Sequence, residues 1–538
     1  MTRGKHLRVR RAAILLGLAL ALLVFGQPAN AAATRPLPFP QPFGRPSPPH
    51  LTYFGGPVMT FTENALVLWG SAGHSTALTA NLPGFLSAFA DAGNANPYDV
   101  ALEYHTPSQP LTLAGRYLGS FTIDPSTAST NLSDAAVAAE LAAQIGRGAL
   151  PPPRTAFGGP VTEYYVMFPP NYNVCVDGGC SDVAFCAYHS NATYLGIPFT
   201  YTVLPESTPP DPGCGPNTSN GGFGNLTSMT SHEMVESMTD PEVGSATGNG
   251  PPLAWYDVVN GEVADICNGQ DSTLTLGAIG WVVQKEWSNA ENACIASHSA
   301  GGLQGVRASF GASAAPGGVG FDASATTTPN GGASVTNYAW DWGDGSSNSG
   351  SSPAAAHAYA MPGTRLVTMV ATDGAGASGA QFLSVTTRGL SVTAPNGHVS
   401  SAPAGITCAS ACSANFLDGA TVSLTASPAP GFAFTGWSGD CAGQGATCVL
   451  TMNGAKAAAA NFTATTPPPS PPAAPSAAPA TCVVPKLRGR TVRPHGWRWP
   501  PPTARSAAVH RPTHGSCAEA GSSRRGHRRE PGGEQGQR

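Results

Sequence analysis

Met229-Thr-Ser-His232-Glu233-Met-Val-Glu236-Ser-Met-Thr-Asp240-Pro241 is the stretch on which the reading of the first half of this chain turns. Thr230 or Ser231 can cap a helix and Pro241 can help to end one, so about three turns are predicted between them. At 3.6 residues per turn, His232 and Glu236 then share one face, with Glu233 beside them. Working outward, Ala65 to Trp69 and Glu163 to Phe168 are apolar, β-branched and aromatic, as strands are. Ala77 to Ala92 and Asp134 to Ile145 carry apolar residues at helical spacing, the second with Ser133 as its N-cap. Helices mixed with strands predict an α/β domain over residues 51–300.

The chemistry is in the spacing. Two residues at i and i+4 of one helix face can hold a metal while a glutamate at i+1 activates a water, which is the geometry of the zinc-protease helix. Here the second ligand position holds Glu236 where that pattern has histidine; a carboxylate can also ligate zinc. The competing structural explanation is a solvated helix whose acidic first turn is favoured by the helix dipole. Context favours the metal. Phe185-Cys186-Ala-Tyr-His189 lies upstream, and Trp255-Tyr-Asp257 and Gly261-Glu262-Val-Ala-Asp265-Ile-Cys267 lie downstream. We therefore expect zinc, with calcium as a structural alternative. His232 and Glu236 are the expected ligands, Glu233 the general base, and His189, Glu262 or Asp265 the third ligand. Asp265 ranks first, since Cys267 would pin its segment, and Tyr256 or His189 would stabilise an oxyanion.

Tyr53-Phe-Gly-Gly-Pro-Val58, the Cys-x-x-His element ending at His189, Ser-His-Glu-x-x-Glu-x-x-Thr-x-Pro from Ser231, and Gly-Glu-x-x-Asp-x-Cys from Gly261 occur in one consistent order. In this, residues 51–297 resemble the secreted plant phosphate-induced (exordium-like) proteins and their bacterial relatives. The resemblance implies a fold and a candidate site more than a reaction. Together with the helix motif it leads us to expect a zincin-like α/β domain.

From about Gly302 the texture changes to short strands separated by Gly, Ser, Asn and Pro. Tyr338-Ala-Trp-Asp-Trp-Gly-Asp-Gly345, His357-Ala-Tyr359 and Pro362-Gly363 resemble the signatures of a polycystic-kidney-disease (PKD) domain, which implies an all-β, immunoglobulin-like sandwich over 305–388. Residues 389–462, with Phe432-Ala-Phe-Thr-Gly-Trp437 and the Gly-Trp-Ser-Gly-Asp-Cys block ending at Cys441, resemble an internalin-type B repeat. That resemblance implies a small β-grasp-like module, with Cys408 paired to Cys412 and Cys441 to Cys448. A Pro/Ala linker (463–481) and a basic, disordered tail (482–538) are expected to follow.

The chain has 538 residues, 65 Gly, 51 Pro and only 11% charged residues, which disfavours coiled coils and the usual basic nucleic-acid binders. Its net charge of −4 conceals three regions. Residues 1–33 carry five basic groups and no acid, residues 34–481 carry 10 basic against 28 acidic, and residues 482–538 carry 12 against 3. The basic start, the apolar run from Ala12 to Phe25 and Ala29-Asn30-Ala31 read as a secretory signal over 1–33, followed by a Pro-rich lead over 34–50. The apolar run is short for a membrane span.

The 12 cysteines point to disulfides of an oxidising compartment. Cys175, Cys180, Cys186, Cys214, Cys267 and Cys294 fall in the first domain, where their pairing stays open. No nucleophile elbow, Walker loop or dinucleotide fingerprint occurs. Two functions remain: a secreted zinc-dependent, peptidase-like hydrolase with accessory β modules, or a non-enzymatic adhesion or cell-wall/carbohydrate-binding protein. Either would act as a monomer on an extracellular protein or polysaccharide, without nucleic acid and without a membrane span.

Overall fold

The computed structural model describes residues 48–181, 184–206, 223–299 and 302–465. The expected signal, most of the Pro-rich lead, Cys214, the linker beyond Thr465 and the basic tail lie outside the described residues. The chain is mostly β, with few helices. In the first domain the strands β1 (Thr62–Trp69), β2 (Gly115–Ile123), β3 (Thr162–Phe168), β4 (Tyr188–Tyr194) and β5 (Ile197–Pro205) form one sheet in the order β4-β5-β3-β1-β2. All neighbours are parallel except the hairpin β4–β5. That hairpin turns through Leu195 and Gly196, at φ 50° and 80°, the positive values a two-residue turn needs.

Every residue of β3 is buried, because both faces of the sheet are covered. Ala65, Val67, Trp69, Tyr164, Val166 and Phe168 face a core shared with Val137, Leu141 and Ile145 of helix α2 (Asp134–Gly146). Leu66, Tyr165, Met167 and Leu204 face the other way. They pack with Leu82, Phe85 and Phe89 of α1 (Thr76–Ala92) and with Met234, Val235 and Met238 of α3 (Phe223–Thr239). Ser133 caps α2 as its sequence predicts, its Oγ accepting from the Ala136 N–H at 3.3 Å. No described helix is long and apolar enough to cross a membrane.

α3 corrects one expectation. It starts well before Thr230 and Ser231, which are therefore interior residues and not caps. Their hydroxyls donate instead to the carbonyls of Leu226 (2.7 Å) and Ser228 (2.8 Å), the back-bonding that lets such residues sit inside a helix.

The PKD segment is a sandwich. Val319, Phe321, Trp340, Trp342, Val367 and Met369 fill the space between a three-stranded sheet and a larger one. One 16-residue strand, Ser378–Thr393, leaves this sandwich and continues into the next module. There two sheets enclose Leu390, Val399, Phe416, Val422, Leu424 and Trp437. Among the described residues this module holds no helix, which corrects the β-grasp-like expectation: its segments alternate polar and apolar at period two, and none carries the 3.6-residue stripe a grasping helix would need. Cys408–Cys412 and Cys441–Cys448 are bonded as expected, and in the first domain Cys175–Cys180 and Cys267–Cys294 are bonded. Cys186 is disulfide-bonded too.

The PKD sandwich is tied to the first domain by specific contacts. Asn94 both donates to the Ala380 carbonyl and accepts from its N–H, each at 2.8 Å. Arg154 reaches the buried Glu63 at 2.6 Å and Asp341 of the sandwich at 3.3 Å. Phe61 meets Phe382 edge-on at 5.0 Å between centroids. Arg154→Ala leaves Glu63 with Arg116 at 2.8 Å as its one basic partner. This change is expected to lower the denaturant stability of the chain by about 1–3 kcal/mol; an unchanged unfolding midpoint would show that the contact contributes nothing.

Candidate metal centre

Two elements and one loop converge at the site. α3 carries His232, Glu233 and Glu236. The edge strand β4 brings His189, paired in register with Thr202. The loop Gly261–Cys267 brings Glu262 and Asp265. Gly261 adopts φ 93°, which favours glycine, and the Cys267–Cys294 bond anchors the loop's far end.

Glu236 is the common point. Its Oε2 lies 3.2 Å from His232 Nε2 and 3.6 Å from His189 Nδ1, and its Oε1 accepts from the Asp265 N–H at 3.1 Å. His189 Nδ1 also lies 3.3 Å from Glu233 Oε2. On the far side of the ring, His189 Nε2 meets the Asp240 carbonyl at 3.3 Å and Glu262 Oε1 at 3.5 Å. The ligand atoms of His189, Glu236 and Glu262 lie within 4.8 Å of one another, as do those of His232, Glu233 and Glu236. Asp265, ranked first by sequence as third ligand, belongs to neither group; its carboxylate accepts instead from the Glu262 N–H at 3.2 Å.

Sequence reasoning missed three further acids. Glu163, Asp240 and Glu286 are fully buried. Glu163 accepts from Thr202 (2.7 Å), Tyr165 (2.7 Å) and Ser237 (2.9 Å), and Tyr98 donates to Glu286. Glu163 lies in the apolar run of β3, and a lone acid in such a run is the signal that could have found it; Asp240 and Glu286 stand among polar neighbours and carry no such signal. Trp281 and Trp287 are core, and Trp255 meets Tyr53 at a tilt and Tyr104 edge-on. His74 is bound to Glu206 at 2.6 Å.

Seven acids thus gather around two histidines. Among the described residues, no lysine or arginine ion-pairs with any of the seven. Buried charge must be neutralised, and without a cation only protons can do it. Burial would lower His189 and His232, yet Glu262, Glu233 and Glu236 outweigh it at His189, as Glu236, Glu233 and Asp265 do at His232, and both imidazoles are pushed well up. Burial also raises Glu262, Asp240 and Glu286, and lifts Asp265 to about 7 with the help of Glu236. Against its own burial, Glu236 is held at about 2 by the two histidines.

The donors suit zinc. Two ligands of one tetrahedral zinc, each at about 2.0–2.1 Å, sit roughly 3.3–3.4 Å apart. The separations of 3.2 and 3.6 Å around Glu236 Oε2 bracket that value. Glu262 Oε1, buried and without a hydrogen bond, marks a site short of one partner. Calcium prefers six to eight oxygens, which two imidazoles do not supply.

Comparison with known proteins bears on the β modules. Residues 307–387 match the family model of the PKD domain, and residues 390–466 that of the divergent InlB B-repeat domain. No curated protein matches the chain. Among solved structures, the PKD1 domain of Vibrio anguillarum Epp is 22% identical over 16% of this chain and 95% of its own, with a TM-score of 0.14. The PKD1 domain of the Vibrio cholerae metalloprotease PrtV is 22% identical over 15% and 95%, with a TM-score of 0.13. A carbohydrate-binding module of the β-sandwich superfamily is 20% identical over 23% and 55%, with a TM-score of 0.14.

Glu163 offers a test of the buried acid. Burial raises it to about 7 against the hydrogen bonds from Thr202, Tyr165 and Ser237, which favour its charge. The folded state therefore holds a proton that the unfolded chain releases above pH ~4.5, so stability conferred below that pH is lost as pH rises towards 7. The loss should reach about 3 kcal/mol in chelator-treated protein, and Glu163→Gln should flatten it in urea unfolding followed from pH 5 to 7. An equal slope in the variant would assign the loss to other groups.

Proposed function

We propose that residues 51–300 form a secreted, zinc-dependent hydrolase of the peptidase type with a zincin-like arrangement, and that the two following modules attach it to an extracellular protein or polysaccharide. The observation that carries this reading is the meeting of His189 and His232 on one oxygen of Glu236, at 3.6 and 3.2 Å, within a buried excess of carboxylate. His189, His232 and Glu236 would hold the ion, a set of two imidazoles and one carboxylate that hydrolytic zinc sites use. Zinc, when bound, supplies Lewis acidity toward a water and toward a substrate carbonyl. Glu233, beside His189, is the base that takes the water's proton and returns it to the leaving group. Tyr256 is kept protonated by burial, reinforced by the charges of Glu262 and Asp265, and is the donor to the developing oxyanion. The order of motifs that resembles the exordium-like proteins supports the same site, and the disulfides and the PKD and B-repeat modules support an extracellular setting.

A second reading has its own support. The His189 and Glu236 side chains are only 2% and 4% exposed, and that of His232 13%. So enclosed a cluster favours a structural cation in a non-enzymatic adhesion or carbohydrate-binding protein. Metal analysis of the full secreted chain, beside His232→Ala, separates the readings when casein digestion is run with and without chelator. About one zinc per chain, lost in the variant and matched by chelator-sensitive cleavage, is the expected result. Zinc without cleavage would leave the structural reading, and a folded, zinc-free wild type would remove both.

A further inference from the structure

His189 has acceptors against both ring nitrogens. Nδ1 faces Glu233 and Glu236, while Nε2 faces the Asp240 carbonyl and Glu262. The two nitrogens of an imidazole point in diverging directions, so an ion held with Glu236 takes Nδ1 and leaves Nε2–H as a donor on the other side of the ring. Glu262 Oε1 is buried, lies 3.5 Å from Nε2 and makes no hydrogen bond, while the Asp240 carbonyl stands closer to Nε2, at 3.3 Å. The Nε2–H is the group within reach of it.

We propose that Glu262 is a positioning residue that acts through His189 and is not itself a ligand. By sharing the Nε2–H with the Asp240 carbonyl it helps to fix the tautomer that frees Nδ1 and to hold the ring in the plane that faces Glu236, and its carboxylate raises the basicity of the coordinating nitrogen as a neutral carbonyl does not. The same loop serves the second ligand. The Asp265 N–H holds Glu236 Oε1 at 3.1 Å, which turns Oε2 toward both histidines, and the Asp265 carboxylate receives the Glu262 N–H at 3.2 Å. One short loop, anchored by Gly261 and the Cys267–Cys294 bond, thereby orients one ligand from the strand and one from the helix. The inference rests on the zinc reading above.

The rival is direct ligation, since the ligand atoms of Glu262, His189 and Glu236 lie within 4.8 Å of one another. Glu262→Gln and Glu262→Ala in the full secreted chain separate the two. Zinc affinity is measured by competition with a chelator, the visible spectrum is recorded after cobalt(II) replacement, and the unfolding midpoint is measured in excess chelator. Positioning predicts one ion per chain in both variants. Affinity should fall about 10–100-fold in the alanine variant and recover partly in the glutamine variant, whose carbonyl still accepts the Nε2–H. The cobalt spectrum of the glutamine variant should keep the wild-type shape, and its metal-free midpoint the wild-type value. A changed cobalt spectrum in Glu262→Gln would make Glu262 a ligand and overturn the proposal, as would unchanged affinity in both variants. A wild type that binds no zinc would remove the zinc reading itself, and the wild-type control reports that outcome separately.

Discussion

Burial of more carboxylate than base around Glu236 is the constraint from which the first domain's organisation follows. Glu163, Glu236 and Glu286 sit in or against strands and a helix whose other residues are apolar core, where an unpaired negative charge is far costlier than in water. Two histidines answer part of that charge and protons another part. The remainder is what a divalent cation would neutralise, and the spacing around one oxygen of Glu236 suits an ion with a preference for imidazole nitrogen. Fixing such a centre requires rigidity from several directions. The buried face of α3, the register of β4 against β5 and a disulfide-anchored loop supply it.

The sheet explains why these parts meet. Its parallel strands are covered by helices on both faces, so α3 has to lie flat on Tyr165, Met167 and Leu204, and its polar face is turned toward the edge where β4 ends the sheet. A one-residue slip of β4 would carry His189 to the opposite face and dissolve the cluster, because side chains alternate along a strand. The hairpin through Leu195 and Gly196 is therefore part of the site's construction as much as of the fold's.

Beyond the first domain, the PKD sandwich is docked through Asn94, Arg154 and Phe61 and does not hang from a free tether. The 16-residue strand then passes from the sandwich into the B-repeat module without a linker. A surface-binding module held this way would fix the orientation of the first domain relative to a polymer, where a flexible arm would only fix its distance.

The sequence by itself determined the elements with strong local signals. Periodicity placed α1 and α2, the Ser133 cap, β1 and β3; the Trp-Asp-Trp and Gly-Trp-Ser blocks marked the two β modules; and the spacing of His232, Glu233 and Glu236 put three chemical groups on one helix. It misplaced the start of α3, because Thr230 and Ser231 look like caps until their hydroxyls are seen bonded to the preceding turn. Only the tertiary structure decided that His189, from a strand about 40 residues upstream, faces Glu236, that Asp265 works through its backbone N–H, and that Glu163, Asp240 and Glu286 are buried nearby. The physical reason is that hydrophobic period and capping are local, whereas the pairing of a charge with its neutralising partner depends on which segments the core brings together.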